Sequence, residues 1–414
     1  MQNMRVSSRP GWAAIVLTQE EGMSNRLFLI CSQIAEPSPM SDLPARSRYD
    51  PVAVAARILP AERRRGRGAA TNASGRFGIE KREDFDDGWT REEKAEPLRT
   101  EVTLEKPKAI ITRNVSPDIP FDRSINPYRG CEHGCFYCFA RPTHAFMGLS
   151  PGLDFESRLF AKENAAALLE RELAQLKYAP APIAMGTNTD PYQPIERERR
   201  ITRSVIEVLQ RCRHPLSIVT KSNLILRDLD ILGEMAREGL IKVFVSVTTL
   251  DRRLARKMEP RAPTPEKRLE AIKALNAAGI PAGVMVAPIM PAINDSEIET
   301  ILTRAYAAGA REAGYVCLRL PLEIRDMFRE WLQVNFPDRL KRAIALVQSM
   351  HGGKDYEAQW GRRMAGSGPY AWMIGRRFET AARRLGYREE KTILRTDLFR
   401  KPTPAEKGAQ LSLF

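Results

Sequence analysis

The sequence has no long uninterrupted apolar run. The longest near the N-terminus are Trp12–Leu17 and Leu27–Cys31, which are shorter than a signal-peptide core and far shorter than a membrane span. We therefore expect no targeting segment and no membrane anchor.

Cysteine is also scarce, with six residues among 414. Three of them fall within eight residues, and Cys31, Cys212 and Cys317 are scattered along the chain. This distribution does not fit the disulfide framework of a small secreted domain. It favours a reducing, cytoplasmic location.

Positive charge is in excess. Lys and Arg number 65 against 51 Asp and Glu, which gives a formal net charge of +14. Such an excess attracts polyanions, nucleic acids among them, and raises their encounter rate. Because many basic proteins bind nothing anionic, charge alone leaves a nucleic-acid partner open.

The N-terminal region differs in composition from the rest of the chain. Residues 1–105 are rich in Arg, Pro, Ser, Gly and Glu, and they predict an irregular or extended region with a short helix around Val52–Arg64. Met23 and Met40 leave open whether translation starts at one of them, in which case the first 22 or 39 residues are an artefact of start-site choice.

The remainder of the chain divides into three parts. Residues 106–322 alternate short apolar runs with amphipathic stretches, residues 323–390 predict a helical C-terminal extension, and residues 391–414 predict a flexible tail. The strand candidates are Ser124–Tyr128, Ile183–Thr187, Leu216–Lys221, Ile241–Thr248, Ala282–Ile289 and Tyr315–Leu320. The helix candidates between them are Ala161–Lys177, Arg200–Cys212, Asp228–Glu238, Pro265–Ala278 and Asp295–Ala308.

Six strands separated by crossover helices predict an α/β fold with a parallel sheet, curled into a partial (β/α)6 TIM-like barrel open on one side. The helix-covered outer face of such a sheet must be apolar, so alternation along each strand indicates which side chains face the lumen. Chemistry in these folds collects at the carboxyl ends of the strands. The side chains predicted to face the lumen or the strand ends are Gly186, Asn188, Asp190, Lys221, Lys242, Phe244, Ser246, Thr248, Tyr315, Cys317 and Arg319.

The most informative segment is the Cys-x3-Cys-x2-Cys motif formed by Cys131, Cys135 and Cys138, just after the first strand. Thiolates are soft ligands suited to iron-sulfur clusters, and this spacing lets one loop hold a single cluster at three corners. With three cysteines, one iron keeps an open position. Zinc is the alternative, but a structural zinc site needs a fourth ligand, which here would be His133 or His144.

The motif, with Tyr137 as the aromatic residue before its third cysteine, resembles the signature of the radical S-adenosylmethionine (SAM) superfamily. The resemblance implies a 4Fe-4S cluster on the three cysteines and SAM chelated to the open iron, where reduction releases a 5′-deoxyadenosyl radical. It also implies that Tyr137 lies near the adenine. An electron donor such as a flavodoxin or ferredoxin is implied as well.

Residues from Asn126 to Asp295 resemble the spore photoproduct lyase branch of that superfamily. The resemblance rests on Thr187–Glu196 after the second strand, Val219–Lys221, Ser246, and Val286–Ile289. A lumen-facing Lys221 would pair with the methionine carboxylate and Ser246 would hydrogen-bond the carboxylate or ribose. The side chains expected to accept from the methionine ammonium are Thr187, Asn188 and Asp190.

The sequence departs from that branch at one important point. Spore photoproduct lyases place a hydrogen-donating cysteine beside the second strand, where this chain has Gly186 and Thr187. Cys317 is the candidate substitute, although a lone strand cysteine also serves as a small core residue. A nucleobase in DNA or RNA is the leading substrate. Modification of a protein or small metabolite, or a non-enzymatic iron-sulfur nucleic-acid-binding protein, stays open.

Two further segments point toward nucleic acid. The run Arg63–Gly68 offers guanidinium groups for phosphates, or is a solvated basic run. The C-terminal residues resemble the short peptide by which bacterial DNA polymerases and repair proteins dock on the sliding clamp, and the alternative is a hydrophobic tail packed on its own domain. The residues of that peptide are Gln410, Leu411, Leu413 and Phe414.

Overall fold

The computed structural model describes residues 58–62, 64–77 and 98–402, which belong to one compact unit of the chain. In these residues the strands are β1 (Glu101–Leu104), β2 (Ile111–Arg113), β3 (Arg123–Ile125), β4 (Tyr128–Arg129), β5 (Arg158–Ala161), β6 (Ile183–Met185), β7 (Leu216–Thr220), β8 (Ile241–Ser246), β9 (Ala282–Ile289) and β10 (Glu312–Cys317). The α-helices are α1 (Asp154–Ser157), α2 (Ala165–Leu173), α3 (Glu196–Arg199), α4 (Ile201–Arg211), α5 (Leu229–Arg237), α6 (Arg252–Met258), α7 (Pro265–Ala277), α8 (Ile298–Ala307), α9 (Ile324–Asn335), α10 (Leu340–Ser349) and α11 (Gly368–Leu385).

One seven-stranded sheet has the order β10-β9-β8-β7-β6-β3-β2. Six of its strands pair in parallel, namely β3, β6, β7, β8, β9 and β10, and β2 is antiparallel to β3 at the edge. Helices lie between successive parallel strands, as crossover connections require. In the described part of the chain β10 and β2 are the two edges, so the sheet is not closed. The predicted α/β fold with six parallel strands and an open sheet is confirmed.

The main core lies between this sheet and its helices. Alternate residues of β8, namely Ile241, Val243 and Val245, are fully buried in it. The other face of β8 carries Lys242, Phe244 and Ser246, as alternation predicts. Lys242 and Phe244 line a cavity at the amino ends of the strands, whereas Ser246 lies at the opposite end.

The first predicted strand is shorter than expected. It ends at Ile125 because the chain leaves the sheet at Asn126, and Tyr128–Arg129 pairs instead with β5 in a small second sheet of order β1-β5-β4. The predicted helix from Ala161 begins later, at Ala165, since Ala161 belongs to β5.

The last parallel strand lies three residues earlier than predicted. Its register with β9 shifts between Tyr315 and Cys317, which breaks the alternation used to assign its faces. Tyr315 packs on Phe378 of α11, with ring centroids 4.7 Å apart. The prediction that Tyr315 faces the lumen is therefore wrong, because the irregularity turns it toward the covering helix.

The C-terminal extension contains α9, α10 and α11, and a non-helical segment between Met350 and Ser367 separates α10 from α11. The sequence offers Trp331, Trp360 and Trp372 to pack this extension against the barrel. Trp331 is buried and stacks on Phe136 at 4.1 Å between ring centroids. Trp360 and Trp372 are exposed, so the interpretation is wrong for these two.

The described parts of the two terminal regions contact the core. Residues 58–60 are irregular and residues 61, 62 and 64 form turns rather than the predicted helix, whose other residues lie outside the described ranges. In the predicted tail, Lys242 Nζ donates to the Thr392 carbonyl at 3.0 Å and the Arg400 amide donates to the Cys212 carbonyl at 2.8 Å. The peptide Gln410–Phe414 and Cys31 lie outside the described residues. No helix among the described residues is long and apolar enough to cross a membrane.

Candidate active site at the carboxyl ends of the parallel strands

A cavity of ≈ 260 Å³ opens at the carboxyl ends of the parallel strands. The three motif cysteines, the six side chains predicted to bind SAM, and Cys317 all line it. The lining residues are Cys131, His133, Cys135, Tyr137, Cys138, Phe139, Gly186, Thr187, Asn188, Thr189, Asp190, Val219, Thr220, Lys221, Ser246, Met285, Ala287, Pro288, Val316, Cys317, Leu318, Arg319 and Met364.

The segment Cys131–Cys138, here called the cysteine loop, brings three thiols to this cavity. The Cys131 amide donates to the Phe155 carbonyl at 2.9 Å, and the Cys138 amide donates to the Cys135 carbonyl at 3.2 Å. Burial raises the pKa of all three thiols, to about 12 for Cys135. A positively charged metal centre would stabilise their thiolate forms there, so the donor set fits a cluster.

The zinc alternative has no arrangement of ligands to support it in the described residues. His144 Nε2 lies 3.0 Å from the Arg158 carbonyl, and His133 Nδ1 lies 3.4 Å from the Asp190 carboxylate. No group of three His, Cys, Asp or Glu in the described ranges is placed to hold a metal ion. Thiolates on different irons of one cluster stay farther apart than ligands that share a single ion.

A buried ion pair supports the cysteine loop from behind. Arg141 Nε donates to the Cys135 carbonyl at 2.8 Å, and the same guanidinium pairs with Glu156, both side chains being fully buried. Because Arg141 follows the motif closely in sequence, it is a candidate for orienting the cysteine loop, and these contacts agree with that interpretation. Glu156 also accepts from the amides of Gly68 and Ala69, each at 2.8 Å.

Residues 67–71, which we call the N-terminal strap, lie against the cysteine loop. A Cβ added at Gly68 would stand 1.7 Å from the Gly134 carbonyl oxygen, so only glycine permits this approach. Arg67 is buried and donates to the carbonyls of Glu156 and Leu98 at 2.6 and 2.7 Å. It therefore has no free guanidinium for a phosphate, contrary to one interpretation of the basic run.

Asp190 faces the cavity, but its carboxylate is occupied by the protein. It accepts from the Tyr192 amide at 2.9 Å, the Thr220 hydroxyl at 2.7 Å and the Lys221 amide at 2.8 Å, and it lies near His133. Burial acts to raise the pKa of Asp190, but the nearby charge of His133 and the hydrogen bonds from Thr220 and Lys221 lower it to about 2. Asp190 thus joins the cysteine loop to β7.

Asn126, which the sequence analysis did not single out, holds the loop after β6. Its side-chain oxygen accepts from the Asn188 amide at 3.0 Å and its side-chain nitrogen donates to the Thr187 hydroxyl at 3.2 Å. No described residue hydrogen-bonds the Asn188 side chain. Only its position where the chain leaves the sheet could have indicated Asn126.

Lys221 extends from the end of β7 toward the cysteine loop. Its Nζ lies 5.9 Å from the centre of the Tyr137 ring, and no carboxylate of the described residues lies within ion-pair distance. Burial acts to lower its pKa, but the negative charges of Glu259 and Cys135 outweigh this and raise it. Lys221 is thus a charged, unpaired ammonium group in the cavity wall.

Glu259 anchors the aromatic residue of the cysteine motif. Its buried carboxylate accepts from the Tyr137 hydroxyl and from the Thr248 hydroxyl, the latter at 2.6 Å, and pairs with the buried Arg268. Sequence reasoning missed Glu259 and Arg268, because they lie on a loop and helix outside the motif. The available sequence signal was the single carboxylate in the Pro-rich segment Met258–Pro265. Such a residue is buried only when it is paired.

Ser246 and Gly186 complete the wall. The Ser246 hydroxyl donates to the Ala287 carbonyl at 3.1 Å, which leaves its oxygen free to accept from a ligand. Gly186 has φ +89°, and a Cβ there would stand 2.0 Å from the Val219 carbonyl oxygen. A side chain in place of Gly186 would therefore displace β7.

Cys317 is buried and lines the same cavity. Its amide donates to the Met364 carbonyl at 2.8 Å. Burial raises the pKa of this thiol to about 12, so the sulfur keeps its proton at neutral pH.

Relatives of this chain are known from other organisms. The uncharacterized protein Rv2578c of Mycobacterium tuberculosis is 40% identical over 226 residues, which are 54% of this chain and 66% of that protein. The uncharacterized protein MJ0683 of Methanocaldococcus jannaschii is 30% identical over 214 residues, 52% of this chain and 76% of that protein. The matching part of this chain spans slightly less than two thirds of the mycobacterial relative.

Two solved structures match this chain at low sequence identity and with TM-scores below 0.5. Spore photoproduct lyase complexed with dinucleoside spore photoproduct has a TM-score of 0.45 and 16% identity, covering 69% of this chain and 78% of that one. SuiB of Streptococcus suis bound to S-adenosylmethionine has a TM-score of 0.36 and 14% identity, covering 53% and 47%.

The model of the radical SAM superfamily matches residues 125–305. That range contains the three motif cysteines, Tyr137, Asp190, Lys221 and Ser246. Enzymes of this superfamily use a 4Fe-4S cluster and S-adenosylmethionine. The chain belongs to the radical SAM superfamily.

Proposed function

We propose that this protein holds a 4Fe-4S cluster on Cys131, Cys135 and Cys138 and reductively cleaves S-adenosylmethionine in the adjoining cavity. The observation that supports this most strongly is the convergence on one cavity of three thiols and an unpaired ammonium group. When bound and reduced, the cluster would supply the electron that splits the sulfonium and yields a 5′-deoxyadenosyl radical.

The chain's own residues would bind and orient the SAM molecule. The Lys221 ammonium is charged and lacks a carboxylate partner in the described residues, so it is available to the methionine carboxylate. Asn188 has a free side chain for the methionine ammonium, and Ser246 retains an acceptor oxygen for the ribose. Because Asp190 is saturated by protein donors, we assign it to positioning the cysteine loop rather than to the ammonium.

Apolar side chains would keep water from the reacting atoms. Met285, Val316 and Leu318 line the cavity between the polar groups, and a dry wall limits side reactions of a radical. The Tyr137 ring, fixed through its hydroxyl by Glu259, would offer a flat face to the adenine.

We propose a nucleobase in DNA or RNA as the substrate. The net charge of +14 favours a polyanion, and the base would have to be unpaired or flipped to enter the cavity. A protein side chain or a small metabolite is the enzymatic alternative, favoured if nucleic acid neither binds nor alters SAM cleavage. The non-enzymatic alternative is an iron-sulfur protein that binds nucleic acid without cleaving SAM.

The SAM site can be tested without turnover. Anaerobically reconstituted, dithionite-reduced protein is examined by electron paramagnetic resonance with and without SAM, beside a Lys221→Met variant and a Lys273→Met control on the outer face of α7. We expect SAM to change the cluster signal in wild type and control, with a weakened response in Lys221→Met. An unchanged wild-type signal at saturating SAM would contradict the proposal.

The C-terminal peptide Gln410–Phe414 is proposed as a sliding-clamp ligand on its sequence resemblance alone. Its test is fluorescence anisotropy of the labelled full-length protein with a bacterial sliding clamp, beside a Leu413→Ala, Phe414→Ala double variant. Binding that is equal in both proteins, or absent from both, would contradict this partner.

A further inference from the structure

Arg319 lies in the cavity wall, with its guanidinium beside Phe139, the residue that follows the cysteine loop. It lies two residues beyond the end of β10 and lines the cavity. Its contacts in the described residues are soft or neutral: Nη1 lies 3.6 Å from the Met364 sulfur and Nη2 lies 3.4 Å from the Tyr356 hydroxyl. Its Nε is buried without a hydrogen-bond partner in the described part of the chain.

Other arginines nearby are neutralised by carboxylates. Arg363 pairs with Asp118, and Arg141 pairs with Glu156. The charge of Arg319 reaches Asp118, but that carboxylate is occupied by Arg363 and by the Gly361 amide at 2.6 Å. A buried donor left unsatisfied is costly, so the position of Arg319 points to a partner that the protein itself does not provide.

The charges that line the cavity leave room for a second anion. The lining contains two permanent cations, Lys221 and Arg319, and one carboxylate, Asp190, which is saturated by protein donors. The bound cluster with its three thiolates and the SAM carboxylate would add negative charge beside Lys221, while the SAM sulfonium and ammonium would add positive charge. Arg319 has no carboxylate partner among the described residues, so it is available for an anionic group of the second reactant.

The neighbouring aromatic ring fits a nucleotide. The Arg319 guanidinium lies 4.9 Å from the centre of the Phe139 ring, and Phe139 is 42% exposed at the cavity mouth. Arginine beside an exposed aromatic ring is a common way of holding unpaired nucleotides, through phosphate contact and base stacking.

We propose that Arg319 binds a phosphate group of the substrate and, with Phe139, forms the subsite that presents an unpaired nucleotide to the cavity. The inference rests on the proposed nucleic-acid substrate and specifies how that substrate is held. The cation and the ring would fix the backbone and a base at the mouth, while the reacting base enters toward Cys317 and the cysteine loop.

The test measures two affinities on reconstituted, full-length protein. A short fluorescent oligothymidylate reports phosphate binding by anisotropy, and equilibrium dialysis reports SAM binding. The variants are Arg319→Gln and Arg319→Lys, with Arg377→Gln as a control because Arg377 pairs with Glu299 away from the cavity. We expect Arg319→Gln to raise the oligothymidylate Kd about tenfold or more and to lower the salt slope by about one, with Arg319→Lys intermediate.

The affinities for oligothymidylate and for SAM distinguish failure of the subsite proposal from failure of the proposed function. If Arg319→Gln weakens SAM binding instead, the guanidinium holds the methionine carboxylate and the subsite proposal is overturned. If neither affinity changes, Arg319 binds no anion and the proposal is equally overturned. If the wild type binds oligothymidylate through Arg319 but never binds SAM, the proposed function fails while the phosphate contact survives.

Discussion

The Glu259 carboxylate interacts with two cations and two hydroxyl groups of the site, although nothing in its local sequence indicates this. Burial acts to raise its pKa, but Arg268 and Lys221, with hydrogen bonds from Thr248 and Tyr137, lower it to about 2. A carboxyl group whose pKa is lower in the folded protein stabilises it above its ordinary pKa of 4.5. That stability is lost as the pH falls from about 4.5 toward about 2.

We expect Glu259→Gln to destabilise the cluster-free protein by on the order of 3 kcal/mol near neutral pH, because Arg268 is left with a buried unpaired charge. The difference from wild type should shrink as the pH falls from about 4.5 toward about 2, because the carboxyl group is then protonated in the unfolded state while it stays ionised in the folded one, which favours unfolding. Urea unfolding at several pH values measures it, and the exposed Glu270→Gln is the control. A difference that does not depend on pH would contradict the assigned pKa shift.

The raised pKa of Cys317 leads to a different prediction. A thiol that keeps its proton can return a hydrogen atom, and that proton exchanges with solvent. In D2O the wild-type product should therefore carry deuterium, and Cys317→Ala should lose most of this label. Mass spectrometry of the product measures it, with Cys212→Ala as a control because Cys212 is buried away from the cavity. Equal labelling in all three proteins would rule out Cys317 as the donor.

Among the structural elements, the N-terminal strap has the most direct consequence for the cysteine loop. Its closest approach to the loop is at Gly68, where a side chain would meet the Gly134 carbonyl. Gly68→Ala should therefore displace the loop, lower the iron bound after reconstitution and cost about 1–3 kcal/mol of stability.

Iron content and urea unfolding measure that effect. Gly233→Ala is the matched control, since its added methyl group, in helix α5, meets nothing closer than 3.9 Å and a helical alanine is favourable. If Gly68→Ala binds as much iron as the control, the strap does not support the loop.

The elements themselves were largely predictable. Strong periodicity and turn residues located α4, α7 and β9 within a residue or two, because each buries one regular face. The errors came from interactions that local sequence does not contain. Tyr315 was misassigned because the register of β10 shifts, and β3 was drawn too long because Tyr128 pairs with a second sheet.

The site was predictable to a similar degree. Spacing and alternation identified the cysteines, Lys221, Ser246 and Cys317, all of which line one cavity. Asn126, Glu156 and Glu259 were missed, since each acts through contacts with residues more than 50 positions away or outside any motif. Asp190 was identified, but its saturation by protein donors could not be read from sequence.

At the scale of the whole molecule, the excess positive charge makes a prediction about binding. If the substrate is a nucleic acid, affinity for single-stranded oligonucleotide should fall steeply with salt, with a log-log slope of about −0.7 for each phosphate contacted. Anisotropy titrations at several salt concentrations measure this. A neutral methylphosphonate oligonucleotide should bind weakly at every concentration, and tight binding of that control would contradict a phosphate-based interaction.

The central claim is that the cysteine loop and its cavity cleave S-adenosylmethionine. The most direct measurement is mass-spectrometric detection of 5′-deoxyadenosine from anaerobically reconstituted, dithionite-reduced protein, beside the Cys131→Ala, Cys135→Ala, Cys138→Ala triple variant. We predict that the nucleoside forms only when the three cysteines are intact. A wild-type protein that carries the cluster but forms no 5′-deoxyadenosine, even with single-stranded DNA or RNA present, would contradict the claim.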